Sequence, residues 1–511
     1  MFGKQRSAGI ILSYLSQGLH ILVTLFYTPL MLRLLGQSEY GLYQIAYSVV
    51  SYLSLFTFGF SSAYVKFFSK AKVDSNPDEA LRKVNGMFMT VFSFLGLLVL
   101  ILGAFLVFNS EAVLGTNLTS EELDTCKILM AIMVVNCAIN FPTTVFSNYF
   151  IANEKFIFLQ TIGLIGIIIN PCLTFPLLLL GFKSVSLASV MLAISLFKLV
   201  AYLFYSVVKL KMRFQVKGMQ LGLLKDISAF SLFIFIESVV STINMSLDRF
   251  LLGRLVGSVS AAIYSVGGQI NTLYITLSTS ISSVFTPKIN MMVETGKKRK
   301  DLSDMFIKIG KIQFMVLYLI LLGFTVFGKR FIEIWAGTGY ENAFYVALVL
   351  IWPNTINLIQ NIAIEIQRAL GLQKYRSFMY LGIAIMNIVI SVFFIGLWGE
   401  VGAALGTCIA WIIGSGIVMN IFYYKTVQLD IKGFWKSIIS IAKIGIPLLI
   451  IGWVMQNLIT NCSVVVYFGL IGMFTVCYII LLYFWSMSGN EKAYIKNLVG
   501  TRLKRNKTTK G

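Results

Sequence analysis

The stretch LRLLGQSEYGLYQ, from Leu32 to Gln44, is a short polar phrase that separates two long apolar runs. A second stretch, LGRLVGSVSAAIYS, from Leu252 to Ser265, lies between apolar runs in a similar way. A shift of 221 residues superposes three pairs of residues: Arg33 and Arg254, Gly36 and Gly257, and Tyr43 and Tyr264. The chain therefore contains one local pattern twice, nearly half its length apart, which indicates an internal duplication.

The composition is that of a membrane protein. Of the 511 residues, 57% are hydrophobic and 12% are charged, whereas about a quarter of the residues in soluble domains are charged. Apolar runs of about 20 residues, enough for a helix to cross the hydrocarbon core, recur along the whole chain. They are longer than barrel strands and do not alternate with polar residues. The sequence therefore predicts an all-α polytopic membrane protein.

The excess of basic residues fits the same class. The net charge is +21, and the C-terminal stretch TRLKRNKTTKG is basic. In membrane proteins, lysine and arginine collect in cytoplasmic loops, where they set the orientation and face anionic lipids. Because no folded soluble domain is left over, nucleic-acid binding is disfavoured. The six cysteines form no C-x-x-C pair and indicate neither a disulfide framework nor a metal site.

Hydropathy and charge together predict about fourteen transmembrane helices, which we call spans. They lie near residues 8–32, 42–65, 85–108, 126–150, 157–180, 184–208, 228–252, 259–286, 310–328, 342–364, 376–397, 400–424, 435–457 and 464–486. With the N-terminus in the cytoplasm, 34 basic residues fall on the inner side and seven on the outer side. A missed or added span would exchange the sides of everything after it, so this asymmetry predicts that both termini are cytoplasmic.

The duplication extends over six spans in each copy. Pro142 in the fourth span has a counterpart in Pro353 of the tenth, and ANEKF at 152–156 has one in GLQKY at 371–375. Two copies in the same orientation predict a pseudo-twofold axis along the membrane normal. The predicted parts are a six-helix bundle (1–210), a cytoplasmic interfacial linker (211–227), a second six-helix bundle (228–425), two extra spans (426–486) and a basic cytoplasmic tail (487–511).

Polar residues form stripes along six spans, whereas a lipid-facing helix carries polar side chains only near its ends. Steps of three or four residues place each stripe on one helical face. Hydrogen bonds between helices would explain a single stripe as well as a water-filled cavity would. Because the stripes occur in repeat-related pairs of spans, we favour a central cavity between the bundles. The stripes are Ser13, Gln17, His20, Thr24, Tyr27; Gln44, Tyr47, Ser51, Ser54; Asn136, Asn140, Thr143, Ser147; Glu237, Ser241, Asn244, Asp248; Ser265, Gln269, Thr272, Thr276, Thr279, Ser283; and Asn354, Asn357, Asn361, Glu365, Arg368.

Four ionisable residues in these stripes are candidates for ion coupling. A charge at the centre of a span costs roughly 2.5–3.5 kcal/mol on insertion scales, so a retained charge points to a partner or a function. His20, the only histidine, and Glu237 lie at similar depths in the repeat-related first and seventh spans and could exchange a proton, although a lone histidine is more often a structural donor. Asp248 beside Arg249, and Glu365 one turn before Arg368, could instead form structural ion pairs.

Basic residues near the predicted mouths of the cavity are candidates for binding phosphate. Arginine binds phosphate oxygens through its planar fork, and lysine binds them as a point charge. The substrate-binding candidates are Lys66, Lys288 and Arg368 at the inner mouth, Arg33, Arg249 and Arg254 at the outer mouth, and Gln269 and Asn357 from the stripes. Lipid headgroups would explain any single basic member of this set equally well.

No catalytic or nucleotide-binding motif occurs in the chain. It contains no P-loop, H-E-x-x-H or G-x-S-x-G sequence. A membrane polymerase or ligase would need a large outer loop, but the predicted outer segments are shorter than about 20 residues. We therefore predict a transporter, passive or ion-driven, without a cofactor or metal.

Three sequence stretches resemble the multidrug/oligosaccharidyl-lipid/polysaccharide exporter superfamily: RLLGQSEYGLY after the first span, LDRFLLGRLVG at the seventh and FIEIWAGTGYENA before the tenth. The chain is most similar to the polysaccharide branch, the Wzx-type flippases, over its whole length. The resemblance implies flipping of undecaprenyl-diphosphate-linked oligosaccharide repeat units across a bacterial cytoplasmic membrane by alternating access, for a polymer such as O-antigen or capsule. The implied partners are the polyprenyl-diphosphate-linked glycan, membrane lipids, a polysaccharide polymerase and a chain-length regulator.

Other functions share this architecture. An ion-coupled multidrug exporter would favour acidic and aromatic cavity residues over arginines at the mouths. Fourteen spans also resemble the lipid II flippase branch, and a teichoic-acid precursor is a further lipid-linked substrate within the superfamily.

Overall fold

The computed structural model describes residues 2–57, 60–215, 221–487 and 492. Every regular element within these residues is a helix. The α-helices are α1 (Phe2–Leu35), α2 (Gln37–Ser51), α3 (Phe60–Ala71), α4 (Pro77–Phe108), α5 (Ser110–Leu114), α6 (Ser120–Ala152), α7 (Phe156–Leu179), α8 (Lys183–Phe204), α9 (Leu221–Leu255), α10 (Ser258–Ser283), α11 (Thr286–Glu294), α12 (Arg299–Trp335), α13 (Asn342–Leu358), α14 (Asn361–Ala369), α15 (Gln373–Trp411), α16 (Met419–Phe422), α17 (Ile431–Ala442), α18 (Gly445–Val454), α19 (Gln456–Asn461) and α20 (Val464–Leu481). A 3₁₀ segment follows α2 (Tyr52–Thr57), and π-helical turns occupy Tyr205–Lys209, Ile412–Val418, Tyr423–Val427 and Leu482–Ser486.

The described helices lie at the positions of all fourteen predicted spans, and twelve of these positions fall in helical runs that are long and apolar enough to cross a membrane. Ten helical runs are long and apolar enough to cross a membrane, and the bent pair α13–α14 is an eleventh. The run Gln373–Val427 holds two predicted spans, because Trp398 and Gly399 leave the helical conformation and kink α15. The 35-residue α9 and the 26-residue α10 cover the remaining two. The prediction of an all-α polytopic membrane protein is therefore confirmed.

The segment between the predicted bundles is only partly helical. Residues 211–215 form no regular element, and α9 begins at Leu221 and continues without a break into the seventh span. The expected interfacial helix is thus absent at 211–215, while residues 216–220 lie outside the described residues. The basic tail predicted at 487–511 lies outside them too, except for residues 487 and 492.

The chain divides into two compact units, each built from separate segments. The first contains Met1–Ile270, Trp335–Leu350 and Gln373–Ala410, and the second contains Asn271–Ile334, Ile351–Leu372 and Trp411–Gly511. The predicted bundles at 1–210 and 228–425 stay a prediction.

Aromatic side chains fill the interior of the first unit. Phe150 of α6 makes edge-on contacts with Phe158 of α7 and Tyr202 of α8, with ring centroids 5.2 Å apart in both cases. Phe92 and Phe141 connect α4 to α6 at 6.4 Å. Lipid tails are as apolar as these side chains, so close van der Waals packing, rather than removal from water, holds such helices together.

Tyrosine hydroxyls connect the helices of the second unit. Tyr318 of α12 donates to a carbonyl of α17 at 2.8 Å, and Tyr467 and Tyr478 of α20 donate to carbonyls of α12 at 2.9 and 2.7 Å. Phe306 and Phe434 stack at 4.3 Å between α12 and α17. Each hydroxyl is thereby paired in a region where an unpaired polar group would be costly.

Candidate functional site

The two repeated phrases fold as the short turns between α1 and α2 and between α9 and α10. Gly36 and Gly257 have φ angles of 75° and 131°, which a residue with a side chain adopts only with strain. Ser38 and Ser258 each donate a hydrogen bond of 2.6 Å to Oε1 of Glu122. The repeat-related turns therefore meet at one shared carboxylate near the start of α6.

Arg254, a predicted substrate-binding residue, braces the neighbouring loop. Its Nη1 donates to the carbonyl of Val113 at 3.1 Å, and its own carbonyl accepts a 2.7 Å bond from Nδ2 of Asn117. Both partners lie between α4 and α6. Because Arg254 is exposed, its guanidinium is a structural brace and also a surface cation.

Polar residues of α2 and α9 face each other. Nη1 of Arg249 donates to Oε1 of Gln44 at 2.9 Å, and Ser51 donates to Ser246 at 2.9 Å. The described contacts contain no ion pair between Arg249 and Asp248, because the other terminal nitrogen of Arg249 donates to a backbone carbonyl one turn earlier. Arg249 is half-buried and its described hydrogen bonds go to neutral acceptors, so its guanidinium is a candidate for binding an anion.

A cavity of about 220 Å³ lies among α2, α6 and α8 in the first unit. Five of its polar lining residues belong to the predicted stripes of the second and fourth spans, namely Tyr47, Ser51, Ser54, Asn136 and Asn140, and Thr57 and Thr144 add two hydroxyls from outside those stripes. Nδ2 of Asn140 donates to the carbonyl of Asn136 on its own helix at 2.8 Å, so its described bond does not join two helices. These two stripes border one cavity, which lies within the first of the predicted bundles.

Asp248 is the centre of a buried polar cluster. Only 3% of its surface is exposed, and its Oδ2 accepts hydrogen bonds from Tyr264 at 2.5 Å and Thr407 at 2.8 Å. Oδ1 of Asn387 accepts from Ser391 at 2.9 Å and lies 3.2 Å from Oγ1 of Thr407. Oδ1 of Asp248 is buried without a hydrogen-bond partner in the part of the chain that the structure describes. The cluster brings α9, α10 and both halves of α15 to one carboxylate.

Glu237 forms an ion pair with Arg376, which the sequence analysis did not single out. Its Oε1 lies 2.8 Å from Nη1 of Arg376, and Gln373 donates to its Oε2 at 3.1 Å. The guanidinium also lies 4.8 Å from the ring centroid of Tyr380. Gln373 and Arg376 form the first turn of α15, so Glu237 is level with the end of a span rather than its middle. His20 is exposed on α1 and shares no described contact with Glu237, so proton exchange between them stays a prediction.

Glu365 and Arg368 form the expected pair on one face of α14, with 2.9 Å between Oε1 and Nη1. The side chains of Glu365 and Arg368 are 20% and 43% exposed. An exposed pair of this kind contributes little to stability and leaves much of the arginine accessible to a ligand.

The polar stripe predicted on α10 is distinct from the face that packs on α12 and α13. Asn271 accepts a 2.9 Å bond from Asn354, and Tyr274 shares one of 2.8 Å with Thr355. The residues of the predicted stripe are displaced along the sequence from those of the packed face, as Thr272 is from Asn271. The stripe members Thr272, Thr279 and Ser283 are exposed. The hydroxyls of Thr276, Thr279 and Ser283 donate to carbonyls of α10 itself, and this favours a wet surface along the last part of the stripe.

The remaining substrate-binding candidates lie on several helices. Arg33, Lys66 and Lys288 are exposed, on α1, α3 and α11. Gln269 is half-buried and donates to Thr28 at 3.2 Å, and Asn357 is half-buried on α13. Contact with a substrate stays a prediction for all of them. Within the described residues, no group of three or more His, Cys, Asp or Glu side chains could hold a metal ion.

A protein family described as "Polysaccharide biosynthesis protein" matches residues 7–293. The chain belongs to this family. The match contains both copies of the repeated phrase, the cavity among α2, α6 and α8, and the Asp248–Tyr264 pair.

Individual proteins are also similar to this chain, each at low sequence identity. A protein of Shigella flexneri that is named as a candidate O-antigen transporter is 19% identical over 393 residues, 75% of this chain and 89% of the relative. The solved structure of the lipid II flippase MurJ in an inward closed conformation is similar with a TM-score of 0.73 and 20% identity, covering 92% of this chain and 97% of the other. A multidrug resistance MATE transporter in an inward-facing conformation is similar with a TM-score of 0.64 and 14% identity, covering 80% and 96%. At these identities, the solved structures show the fold alone.

The candidate sites also contain residues to which the sequence analysis assigned no role, among them Gln373, Arg376, Asn387, Ser391 and Thr407. Asn387 and Ser391 are four residues apart in an apolar span, which is a detectable stripe of only two members. Arg376 is one of several basic residues on the predicted inner side, and the sequence contains nothing that selects it as the partner of Glu237.

Proposed function

We propose that this protein is a flippase for a lipid-linked glycan, an undecaprenyl-diphosphate-linked oligosaccharide repeat unit used in surface polysaccharide biosynthesis. The observation that carries the proposal is the family match across residues 7–293. The name of the Shigella relative gives an O-antigen as its cargo, and the name of the MurJ structure gives lipid II. Both names support a cargo that joins a glycan to a membrane lipid.

The site geometry supports a cargo with an anionic, hydrated headgroup. The cavity of about 220 Å³ and the exposed polar face of α10 offer hydrogen bonds inside membrane-spanning helices. Arg249 donates to Gln44 of the stripe that borders the cavity, and Arg368 belongs to the predicted stripe of the tenth span. The planar fork of an arginine suits phosphate oxygens. We propose that Arg249 and Arg368 bind the diphosphate together with Arg33, Lys66, Arg254, Lys288, Gln269 and Asn357, while the prenyl chain stays in lipid.

We further propose that Asp248 couples transport to a proton or a monovalent cation. It lies among oxygen atoms of Tyr264, Thr407, Asn387 and Ser391, and its Oδ1 has no described hydrogen-bond partner. Oxygen-rich sites of this kind suit hard cations. Glu237 and Glu365 have arginine partners, which supports Asp248 over them; His20 is the fourth candidate.

The proposed mechanism is alternating access between two six-helix bundles in a bacterial cytoplasmic membrane, with both termini in the cytoplasm. The internal duplication and the charge asymmetry of the sequence support it. The proposed protein partners are a polysaccharide polymerase and a chain-length regulator.

Proteoliposomes containing the purified full-length protein would test the function. We expect a fluorescent undecaprenyl-diphosphate oligosaccharide to become accessible to an external quencher faster than in protein-free vesicles. Asp248→Asn should slow this movement at least tenfold, whereas Asp301→Asn, an exposed carboxylate at the start of α12, should leave it unchanged.

Parallel vesicles loaded with lipid II or with a cationic dye separate the alternatives. Movement of the dye without movement of the glycan lipid would contradict the flippase function and support a drug exporter. Faster movement of lipid II than of the oligosaccharide lipid would keep a flippase but change its substrate.

A further inference from the structure

Lys198 is a charged residue inside a predicted span, in a bundle whose spans contain no acidic residue to neutralise it. All nine acidic residues of the first predicted bundle lie outside its spans: Glu39, Asp74, Asp78, Glu79, Glu111, Glu121, Glu122, Asp124 and Glu154. An ionisable residue within a span is costly, and it marks a functional site where no partner is supplied.

The position of Lys198 is far from both ends of its helix. It lies 15 residues after Lys183, the first residue of α8, which is about 22 Å at 1.5 Å per residue. The helical course continues to Lys209 through the π-turn, about 16 Å further along. A lysine side chain near a helix end extends its amine into the headgroup region, but Lys198 is too deep to do so without a large tilt.

The amine points away from the lipid-facing side of α8. Met191, Ser195, Lys198 and Tyr202 share one helical face by their spacing of four, three and four residues, and Ser195 and Tyr202 are buried. Leu196, Phe197, Val200 and Leu203 are exposed on the opposite side. Met191 lines the cavity among α2, α6 and α8, so Lys198 lies two turns from that cavity on the same face.

The adjacent helix α7 has a glycine, and therefore no side chain, beside the amine of Lys198. A methyl group at Gly166 of α7 would lie 3.3 Å from Cε and 3.7 Å from Nζ of Lys198. In the described part of the chain the amine of Lys198 has neither a hydrogen bond nor an ion pair. A glycine thus faces a half-buried ammonium group that has no partner among the residues that the structure describes.

We infer that Lys198 binds a phosphate oxygen of the lipid-linked substrate inside the first bundle, deeper than the arginines at the mouths. The inference rests on the proposed flippase function. Lysine binds phosphate as a compact point charge, and the diphosphate is the anionic group common to such substrates. The polar cavity two turns away would hold the hydrated part of the headgroup while its phosphate reaches the ammonium.

Binding of a short lipid diphosphate to the full-length protein in detergent tests this contact. The probes are geranylgeranyl diphosphate, the neutral alcohol geranylgeraniol and inorganic diphosphate. We expect Lys198→Met and Lys198→Gln to weaken binding of the diphosphate lipid roughly tenfold or more, the cost of one charge-assisted contact. Lys198→Arg should retain most of the affinity, and binding of the alcohol should not change. The matched control is Lys209→Met, which removes an exposed lysine at the end of the same helical course.

A second measurement needs no variant. Acetylation of Lys198 in the wild-type protein, located by peptide mass spectrometry, should slow in the presence of geranylgeranyl diphosphate and not of the alcohol, whereas Lys209 should react at one rate throughout. Inorganic diphosphate should protect Lys198 at higher concentration if the headgroup alone makes the contact. Protection by the alcohol as well would overturn the phosphate contact.

The outcomes separate this inference from the proposed function. Equal affinity of the wild type and both neutral variants, in a protein that moves the glycan lipid, would overturn the role of Lys198 and leave the flippase intact. A wild-type protein that neither binds the diphosphate lipid nor moves the glycan lipid would overturn both.

Discussion

At the scale of single residues, the ion pair between Glu237 and Arg376 has the clearest energetic consequence. The two side chains are 31% and 13% exposed and lie 2.8 Å apart. Removal of one member leaves the other charge partly desolvated without its partner, and this costs more than removal of both. The pair therefore behaves as a unit, and single and double variants should differ.

We expect Glu237→Gln and Arg376→Gln each to destabilise the protein by about 1.5–3 kcal/mol, the range for hydrogen bonds to charged groups. The double variant should be more stable than the sum of the two changes predicts. Thermal unfolding in detergent, followed by tryptophan fluorescence, measures both effects. Lys83→Gln is the matched control, because its pair with Glu79 is 36% and 47% exposed and should contribute less than about 1 kcal/mol. Additive losses in the double variant would show that the two residues act independently.

The sequence selected individual residues only where their type was rare in its surroundings. Asp248 and Glu237 are carboxylates in apolar spans, so their cost alone drew attention to them. Their partners Tyr264, Thr407 and Arg376 are residue types that are common within spans or at the ends of spans, so the sequence does not select them. Only the packing of α9 on α10 and α15 brings them within hydrogen-bond distance. Span boundaries drawn from hydropathy also do not show which neighbouring helix begins beside Glu237, which accepts a hydrogen bond from Gln373 in the first turn of α15.

At the scale of elements, two stretches of backbone approach closely where the two repeated phrases meet. An added methyl group at Gly41 of α2 would lie only 1.9 Å from the carbonyl oxygen of Ser258, the first residue of α10. Backbone cannot move aside as a flexible side chain can. The absence of a side chain at residue 41 is therefore a condition for the contact between the repeat-related turns.

We expect Gly41→Ala to destabilise the protein by about 1–3 kcal/mol, the usual cost of overpacking, and to lower its unfolding temperature. Gly18→Ala on α1 is the matched control, because a methyl group there meets nothing within 4 Å and alanine favours the helix. Equal unfolding temperatures for Gly41→Ala and the wild type would mean that the turns do not pack as the structure shows.

Hydropathy predicted the spans well because each must present an apolar surface over the thickness of the bilayer. It did not predict where the helical course breaks. The helix-internal prolines Pro29, Pro142, Pro171, Pro176 and Pro353 do not end their helices. The breaks instead fall at Tyr52–Thr57, between α13 and α14 with a 42° bend, and at Trp398–Gly399. Neighbouring helices satisfy the carbonyls that a proline frees, so tertiary contacts, absent from any local pattern, decide where a span breaks.

At the scale of the whole molecule, the distribution of basic residues makes a testable statement about orientation. Ser75 lies in the turn between α3 and α4, on the predicted inner side, and Thr338 lies between α12 and α13, on the predicted outer side; both are exposed. In a variant without the six native cysteines, a membrane-impermeant maleimide added to intact cells should label Thr338→Cys and spare Ser75→Cys. Both should react after the membrane is opened. Labelling of Ser75→Cys in intact cells would reverse the orientation, and with it the direction assigned to transport.

The proposed aqueous path predicts a second labelling pattern. Ser241 and Thr272 are exposed and Asn357 is half-buried, each within a predicted span, and their polar stripes are expected to face water. A thiol must ionise to react, so cysteines at these three positions should react with a soluble maleimide, and the glycan lipid should slow the reaction by occupying the path.

Val389→Cys on α15 is the control, because its 66% exposure combined with an apolar surrounding sequence indicates contact with lipid, where thiolate formation is suppressed. Equal reactivity at all four positions, or none at the three polar ones while Thr338→Cys reacts, would remove the water-filled path. The binding roles proposed for Gln269, Asn357 and Arg368 would then lose their physical basis, because a diphosphate headgroup cannot cross the hydrocarbon core without water or compensating charge.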